Sequence, residues 1–256
     1  AEALEAGILV GIIDHHAVPP EPAQAAWLVN PNRPDSIYPF PHLAGSGLAF
    51  KIAQGILADH PQRRELLAEL SVLAMVGGIA DMVPVANEFR VIVRSALKVM
   101  NGAGTMPVGI AALLRAAGAE PPYRAEVSGF TISPRINAAG RMKHGNHAVT
   151  LLTETDYNLA IEYALEIDQF NTDRREVDQR ITEEALQQII VKNEQERFTT
   201  VVYNETWHKG VIGIVASRLT ETYYRPTLVF TKSGDKLSAS ARSVSGFDVY
   251  NALEAC

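Results

Sequence analysis

The sequence has a single cysteine, no excess of positive charge and no long apolar run. Cys256 is the one cysteine in 256 residues, which excludes a disulfide framework and a cysteine-based zinc site. The net charge of -6 argues against a protein that coats nucleic acid by bulk charge. No run of about 18 apolar residues occurs, so we expect no membrane partner, and residues 1–6 lack the basic cluster of a signal peptide. These absences favour a cytoplasmic protein, which can still bind a strand through a local basic groove.

Apolar patterning in the first half predicts strands and helices in alternation. Residues 7–13 form an apolar run without polar alternation, which is typical of a strand buried on both faces of a parallel sheet. A short strand is predicted at 26–30, and the prolines and glycines of 119–145 predict a loop region. Helices are predicted at 43–59, 62–76, 87–101 and 107–117. Because a strand follows so soon after Ala1, we also expect that upstream sequence is missing.

The most regular predicted element is a helix from about Asp156 to about Glu196. Thr153 followed by Asp156 resembles a capping box at its start. A helix of about 40 residues would be about 60 Å long, which is more than one small domain can cover. We therefore interpret it as a helix that joins two lobes, with a coiled-coil arm as the alternative.

The remainder returns to an α/β pattern, with strands at 198–203, 227–231 and 237–241 and a helix that ends near Tyr223. The predicted fold class is therefore α/β: a parallel-sheet lobe and a smaller α/β lobe joined by the long helix. The predicted domains are 1–155, the linker helix 156–196, and 197–256.

The triplet Asp14-His15-His16 stands at the carboxyl end of the first predicted strand, where open α/β sheets place their ligands. A carboxylate and imidazole nitrogens suit a divalent transition metal such as Mn²⁺. Because neighbouring residues of a strand alternate between faces, we expect at most two of the three at one ion. The alternative is a strand-end aspartate that caps a loop with two solvent-facing histidines.

A further ligand candidate is Asp81, which follows an apolar helix and the glycine pair at 77 and 78. The alternative is that a lone aspartate after a helix acts as a cap. A two-metal hydrolytic site normally needs four or more ligands, and the sequence offers about three, so the site is predicted to be incomplete.

Two polar segments have the chemistry of phosphate contacts. Arg135 and Arg141 bracket Asn137 in the predicted loop, and two such arginines suit bidentate phosphate contacts; the alternative is a pair of surface arginines. The segment 207–210 precedes a predicted helix, whose first turn favours an anion.

A nearby strand end supplies hydroxyls and a guanidinium from Ser238, Ser240, Arg242 and Ser243. The alternative for this region is an ordinary polar edge strand beside a strand-to-helix turn.

The motifs themselves resemble those of a known family. Ile12-Ile-Asp-His-His16 resembles the signature of the DHH phosphoesterase superfamily, and Gly78-Ile-Ala-Asp-Met-Val-Pro84 resembles its later aspartate motif. Four supporting segments follow in family order, at 43–51, 134–141, 207–219 and 241–248. Within the superfamily, the sequence is similar to exonucleases that degrade single-stranded DNA from 5′ to 3′ in DNA repair and recombination.

This resemblance implies a role for each candidate. His15 and Asp81 would be ligands of Mn²⁺ or Mg²⁺, and Asp14 and His16 would be catalytic partners beside the metal or the phosphate. The residues implied in binding single-stranded DNA are Arg135, Asn137, Arg141, His208, Ser240, Arg242 and Ser243. The implied protein partners are a single-strand-binding protein or a helicase.

The sequence also departs from the family pattern. The family's Asp-x-Asp motif and a further aspartate, which precede the DHH strand, are absent, as is the Gly-Gly-His segment expected after Cys256. Residues 238–243 carry serines where the family usually has glycines. We therefore expect an internal fragment with little or no nuclease activity by itself.

Two other functions stay open. One is a DHH-family phosphodiesterase of short oligonucleotides or cyclic dinucleotides, and the other is a non-catalytic relative that binds single-stranded nucleic acid.

Overall fold

The computed structural model describes residues 2–256, and only the backbone of Leu4. The chain divides into two compact units, the first formed by residues up to Ile136 with Val149–Leu165, and the second by Asn137–Ala148 with Glu166–Cys256. Residues 137–148 thus belong to the second unit, whereas the residues on both sides of them belong to the first. Each domain predicted from the sequence is instead one continuous segment.

A two-stranded parallel sheet begins the first unit. Strand β1 (Gly11–Ile13) follows a short helix, α1 (Glu2–Glu5), and pairs with β2 (Trp27–Val29). Both strands are shorter than predicted. The expectation that the first strand is buried on both faces is wrong for the described residues, since Ile13 is 49% exposed and Trp27 is 63% exposed.

Helices make up most of the first unit. The longer ones are α2 (Gly45–Ile56), α3 (Arg63–Ala80), α4 (Asn87–Lys98), α5 (Val108–Ala116) and α8 (Asn146–Thr153). A π-helical turn, Val99–Ala103, follows α4. The core of this unit contains the buried side chains of Met75, Phe89, Ile110, Leu113 and Leu151.

The predicted loop region at 119–145 is helical instead. It contains α6 (Ala125–Val127), a π-helical turn (Ser128–Ile132) and α7 (Ser133–Met142). Pro134 lies in the first turn of α7, where the missing N–H of proline costs nothing. Ala138 and Ala139 are fully buried, so packing overrides the loop preference of the neighbouring proline and glycine.

The long helix α9 (Tyr157–Val191) has 35 residues, which makes it about 52 Å long. Its first residues belong to the first unit and the remainder to the second. The carboxylate of Asp156 accepts from the N–H groups of Asn158 and Leu159 and caps the helix. The capping box predicted with Thr153 does not form, because the Thr153 hydroxyl donates to carbonyls of α8 instead.

The second unit contains a three-stranded sheet. Strand β3 (Thr200–Tyr203) pairs in parallel with β4 (Thr227–Ser233), which pairs antiparallel with β5 (Lys236–Arg242). Helix α10 (Ile212–Tyr223) connects β3 to β4, and α11 (Val249–Glu254) follows β5. The core joins the last turns of α9 to α10 and the sheet through Ile181, Ile189, Val202, Trp207, Val215, Leu219 and Val229.

No single helix among residues 2–256 is long and apolar enough to cross a bilayer. The segments Asn87–Ala103 and Val108–Ala116 meet that test only as a pair, across a bend of 75°. Their apolar side chains at Phe89, Ile92 and Leu113 are buried in the core of the first unit.

Candidate metal and nucleic-acid sites

The DHH triplet lies directly after β1 and forms a cluster. One ligand atom from each of Asp14, His15 and His16 lies within 4.8 Å of the others. The three side chains therefore lie close together, and the expectation that at most two of them bind one ion stays a prediction. The strand ends at Ile13, so the alternation of faces does not continue through the triplet.

Asp14 is the centre of this cluster. Its Oδ1 accepts from the N–H of His15 at 2.8 Å and lies 2.7 Å from Nδ1 of His16. The hydrogen bond with His16, followed by those from the two backbone N–H groups, lowers the pKa of Asp14 below its ordinary value. The ionised form, which a cation needs, is thereby favoured.

Asp81 reaches the same place from the end of α3. Its Oδ2 lies 3.4 Å from Nδ1 of His15. Two glycines of α3 allow close packing: a Cβ on Gly77 would lie 2.4 Å from the Ser46 hydroxyl, and one on Gly78 would lie 2.4 Å from the Phe89 ring. The close approach of α2 and α4 to α3 thus holds Asp81 in position.

Two asparagines support the triplet. Asn30 Nδ2 donates to the carbonyl of His16 at 3.0 Å, and Asn32 Nδ2 donates to the carbonyl of His15 at 2.7 Å. Sequence reasoning missed both, although they follow β2 at the same edge of the sheet. The rule that placed the triplet at a strand exit would also have found them.

A cavity of about 240 Å³ opens beside this cluster. Its lining includes His15, Asp81, Asn32 and His42, and the described lining residues include no lysine or arginine. His42 is a further imidazole that sequence reasoning missed, and no motif pointed to it.

The donor set fits a divalent cation. Neighbouring ligands of an octahedral ion with bonds of about 2.1 Å lie about 3 Å apart. The His15–Asp81 separation of 3.4 Å is close to that value. Carboxylate oxygens and imidazole nitrogens together suit Mn²⁺ or a similar ion.

In the second unit, α7 packs against the turn that precedes α10. The Arg141 guanidinium donates to the Gly210 carbonyl at 3.0 Å, and a Cβ on Gly210 would lie 2.3 Å from the Arg141 carbonyl. In the same turn, His208 Nδ1 accepts from the Gly210 N–H at 3.2 Å. Arg141 and His208 thus lie at one turn. Their common role in binding single-stranded DNA stays a prediction.

The end of β5 covers the first turns of α10. A Cβ on Gly213 would lie 3.3 Å from the Ser240 hydroxyl and 3.4 Å from the Arg242 guanidinium. Arg242 Nε also donates to the Ser217 hydroxyl at 3.0 Å. Ser240 and Arg242 therefore share one face of β5 beside the start of α10, where backbone N–H groups favour an anion.

Beneath these residues lies a buried ion cluster. The Asp178 carboxylate is fully buried, 2.6 Å from Arg218 and 3.9 Å from Arg174. Burial lowers the pKa of Arg174, and the charges of Arg175, Arg141 and Arg218 lower it further, against the opposing effect of Asp178. Four arginines, at 141, 174, 175 and 218, are thus close enough in this part of the second unit to influence one another.

The other predicted nucleic-acid residues are less closely associated. Arg135 donates to the Thr131 carbonyl within the first unit, and Asn137 is exposed on α7. The Ser243 hydroxyl donates to the Phe247 carbonyl and shapes the turn after β5.

Comparison with known proteins gives one consistent result. The chain is 37% identical over 257 residues to the single-stranded-DNA-specific exonuclease RecJ of Bacillus subtilis, and 35% identical over 263 residues to that of Escherichia coli. The chain is homologous to the RecJ exonucleases. The match covers 99% and 97% of this chain but only 32% and 45% of those two proteins, respectively. It thus spans less than half the length of these relatives.

Solved RecJ structures agree with this homology. RecJ from Thermus thermophilus in complex with Mn²⁺ matches with a TM-score of 0.84 at 29% identity, over 99% of this chain and 36% of that one. Another structure, exonuclease RecJ bound to manganese, matches with a TM-score of 0.82 at 28% identity, over 99% of this chain and 61% of that one. The DHHA1 domain family matches residues 195–256. The α/β fold class predicted from the sequence is confirmed.

Proposed function

We propose that this chain forms part of a metal-dependent nuclease that degrades single-stranded DNA from the 5′ end. The first unit would hold the metal and the scissile phosphate, and the second would hold the DNA backbone. The domains stay a prediction, with 1–155 as the DHH domain, 156–196 as the linker and 197–256 as the DHHA1 part. The proposal includes a role in DNA repair and recombination in the cytoplasm, which the single-stranded-DNA specificity of the relatives supports.

The observation that carries the proposal is the cluster of Asp14, His15 and His16, joined through His15 to Asp81 beside a cavity that His15 and Asp81 line. Asp14 and His16 are paired with each other, which leaves His15 and Asp81 as the better candidates for direct ligands. Mn²⁺ or Mg²⁺ held there would activate a water for attack on the phosphodiester and stabilise the leaving oxygen.

The chain's own residues would prepare this site. Asn30 and Asn32 fix the backbone carbonyls of the two histidines and so orient the triplet. Asp14 holds the His16 ring through its 2.7 Å contact and so fixes the orientation of the second ring nitrogen. The cationic face of the second unit, with Arg141 and Arg242, would bind the backbone without reading bases.

The test is cleavage of single-stranded DNA in Mn²⁺, with the label at the 5′ or the 3′ end to read the direction. We expect little or no release of nucleotides, and any release to come from the 5′ end, because this site supplies fewer than the four or more ligands usual in two-metal hydrolysis. His15→Ala should abolish cleavage and leave DNA binding intact. His60→Ala, which removes an exposed histidine of the first unit, is the matched control.

Full turnover by His15→Ala would show that the metal assignment is wrong. DNA binding without Mn²⁺-dependent cleavage would favour the non-catalytic relative if it persisted in a longer chain that includes the family's Asp-x-Asp motif. Preferential cleavage of dinucleotides or cyclic dinucleotides would favour the phosphodiesterase.

A further inference from the structure

Helix α4 carries a row of cations on its exposed face. Arg90, Arg94 and Lys98 follow one another at intervals of four residues, so they lie on one side of the helix. All three are exposed. At a rise of about 1.5 Å per residue, their backbone positions are about 6 Å apart along the helix. We refer to these three residues as the α4 basic row.

The α4 basic row has no carboxylate partner within the part of the chain that the structure describes. The acidic residue of the helix, Glu88, is occupied elsewhere. Its Oε1 accepts from Lys51 Nζ at 2.5 Å, and its Oε2 accepts from the Tyr38 hydroxyl. The positive charge of the row is therefore not neutralised locally.

Such a row is unfavourable for the helix by itself. Two like charges four residues apart repel each other and destabilise a helix. A glutamate and a lysine at the same spacing would attract each other and stabilise it. The chain as a whole is acidic, with 29 acidic against 23 basic residues, so three uncompensated cations in succession are not a consequence of composition. The arrangement points to an anion outside the helix.

The row lines a cavity of its own, whose lining begins in the sequence where that of the metal cavity ends. The lining of the metal cavity includes Met82, Val83 and Pro84. The next residue, Val85, lies in a second cavity of about 600 Å³, whose lining includes the three cations. The linings of the two cavities are thus consecutive in the sequence, at Pro84 and Val85.

We propose that the α4 basic row binds the phosphodiester backbone of single-stranded DNA, outside the nucleotide held at the metal cavity. This inference rests on the proposed function and extends it with a second DNA contact in the first unit. A linear series of separate point charges suits a polyanion with regularly repeated phosphates. Contacts of this kind strengthen binding without selecting a sequence.

The test is the salt dependence of binding to a fluorescent oligothymidylate, measured by anisotropy with EDTA present so that no cleavage occurs. The test variant combines Arg90→Gln, Arg94→Gln and Lys98→Gln. The control variant combines Arg115→Gln, Lys192→Gln and Lys236→Gln, three exposed positions outside the row, and removes the same charge. A third variant, with Arg90→Lys and Arg94→Lys, keeps the charge of the row.

For a single strand, each phosphate contact contributes about 0.7 to the slope of log affinity against log salt. The row variant should therefore lose about 2 from the slope relative to the control variant, whereas the lysine variant should keep the original slope. Melting curves that coincide with that of the unaltered chain would show that the variants are folded. If the triple variant unfolds, Arg90→Gln and Arg94→Gln tested singly should each lose about 0.7 from the slope.

Equal slopes for the row and control variants would overturn this inference alone, and would direct attention to an acidic protein as the partner of the row. Loss of the slope in the lysine variant would also overturn it, because a backbone contact needs only the charge. If the unaltered chain binds no single-stranded DNA, the proposed function and this inference fail together.

Discussion

His15 Nδ1 lies 3.4 Å from Asp81 Oδ2, although one residue follows a strand and the other ends a helix. The position of His15 depends on where β1 ends. The position of Asp81 depends on how closely α3 packs against α2 and α4. Because the separation depends on both, changes in the helix packing should reach the metal cavity.

Gly78→Ala tests the packing that positions Asp81. The added Cβ would lie 2.4 Å from the Phe89 ring, and overpacking of this kind costs about 1–3 kcal/mol. The better helix propensity of alanine offsets about 1 kcal/mol of this. We expect a net loss of up to about 2 kcal/mol in the free energy of unfolding, measured by denaturant titration. Gly55→Ala in α2 meets open space and should not destabilise; equal stability of the two variants would refute the packing described for α3.

Asp178→Ala tests the buried ion cluster of the second unit. Removal of the carboxylate leaves Arg218 and Arg174 without their charge partner. We expect a loss of about 2–4 kcal/mol, less than for a wholly buried pair, because the Arg218 side chain is 49% exposed. Arg180→Ala breaks an exposed ion pair with Glu184 and should cost about 0.5 kcal/mol or less. Thermal and denaturant unfolding compare the two, and similar losses would contradict a special role for Asp178.

Arg141→Gln and Arg242→Gln test the cationic face around the start of α10. Each variant should lower the salt slope for single-stranded DNA by about 0.7 and weaken binding to all sequences alike. Arg115→Gln removes one exposed charge from α5 and serves as the control. A change of sequence preference in either variant would mean that these side chains contact bases rather than phosphates.

The contact between Tyr38 and Glu88 predicts a pH dependence of stability. Burial and the neighbouring Glu88 carboxylate raise the pKa of Tyr38 above its ordinary value. Because the pKa of Tyr38 is higher in the folded than in the unfolded state, the protonated tyrosine stabilises the fold. This contribution to the free energy of unfolding is complete below the unfolded-state pKa of about 10 and is lost as the pH rises above it. The unaltered chain should thus lose stability above about pH 10 more steeply than Tyr38→Phe.

At pH 8 Tyr38→Phe should be less stable by about 1 kcal/mol, because it lacks the hydrogen bond to Glu88. Tyr250→Phe, at a position 72% exposed, is the control. Parallel pH profiles for the unaltered chain and Tyr38→Phe would exclude the contact.

The sequence predicted those features that depend on local chemistry. The triplet after β1 was found because adjacent imidazoles and a carboxylate have no packing role, and Asp81 was found because a glycine pair precedes it. The helix that contains Arg135 and Arg141 was not predicted, because Pro134 and Gly140 favour loops locally. The helix forms because Ala138 and Ala139 are buried, and that burial depends on parts of the chain distant in sequence.

Other features could not be predicted because they require two elements to meet. His42 has no motif, and its place beside His15 depends on how the chain returns from β2 to α2. The ion pair of Glu88 with Lys51 and the hydrogen bond that Glu88 accepts from Tyr38 could not be predicted from the sequence either. Because these partners occupy Glu88, it does not compensate the charge of the α4 basic row.

Mn²⁺ binding to the 256-residue chain, followed by electron paramagnetic resonance, tests the central claim most directly. We predict that the unaltered chain binds Mn²⁺ and that His15→Ala and Asp81→Ala each lower the affinity by about tenfold or more. His60→Ala and Asp59→Ala, at exposed positions outside the cavity, should bind as the unaltered chain does. Unchanged Mn²⁺ affinity in His15→Ala and Asp81→Ala would contradict the metal site.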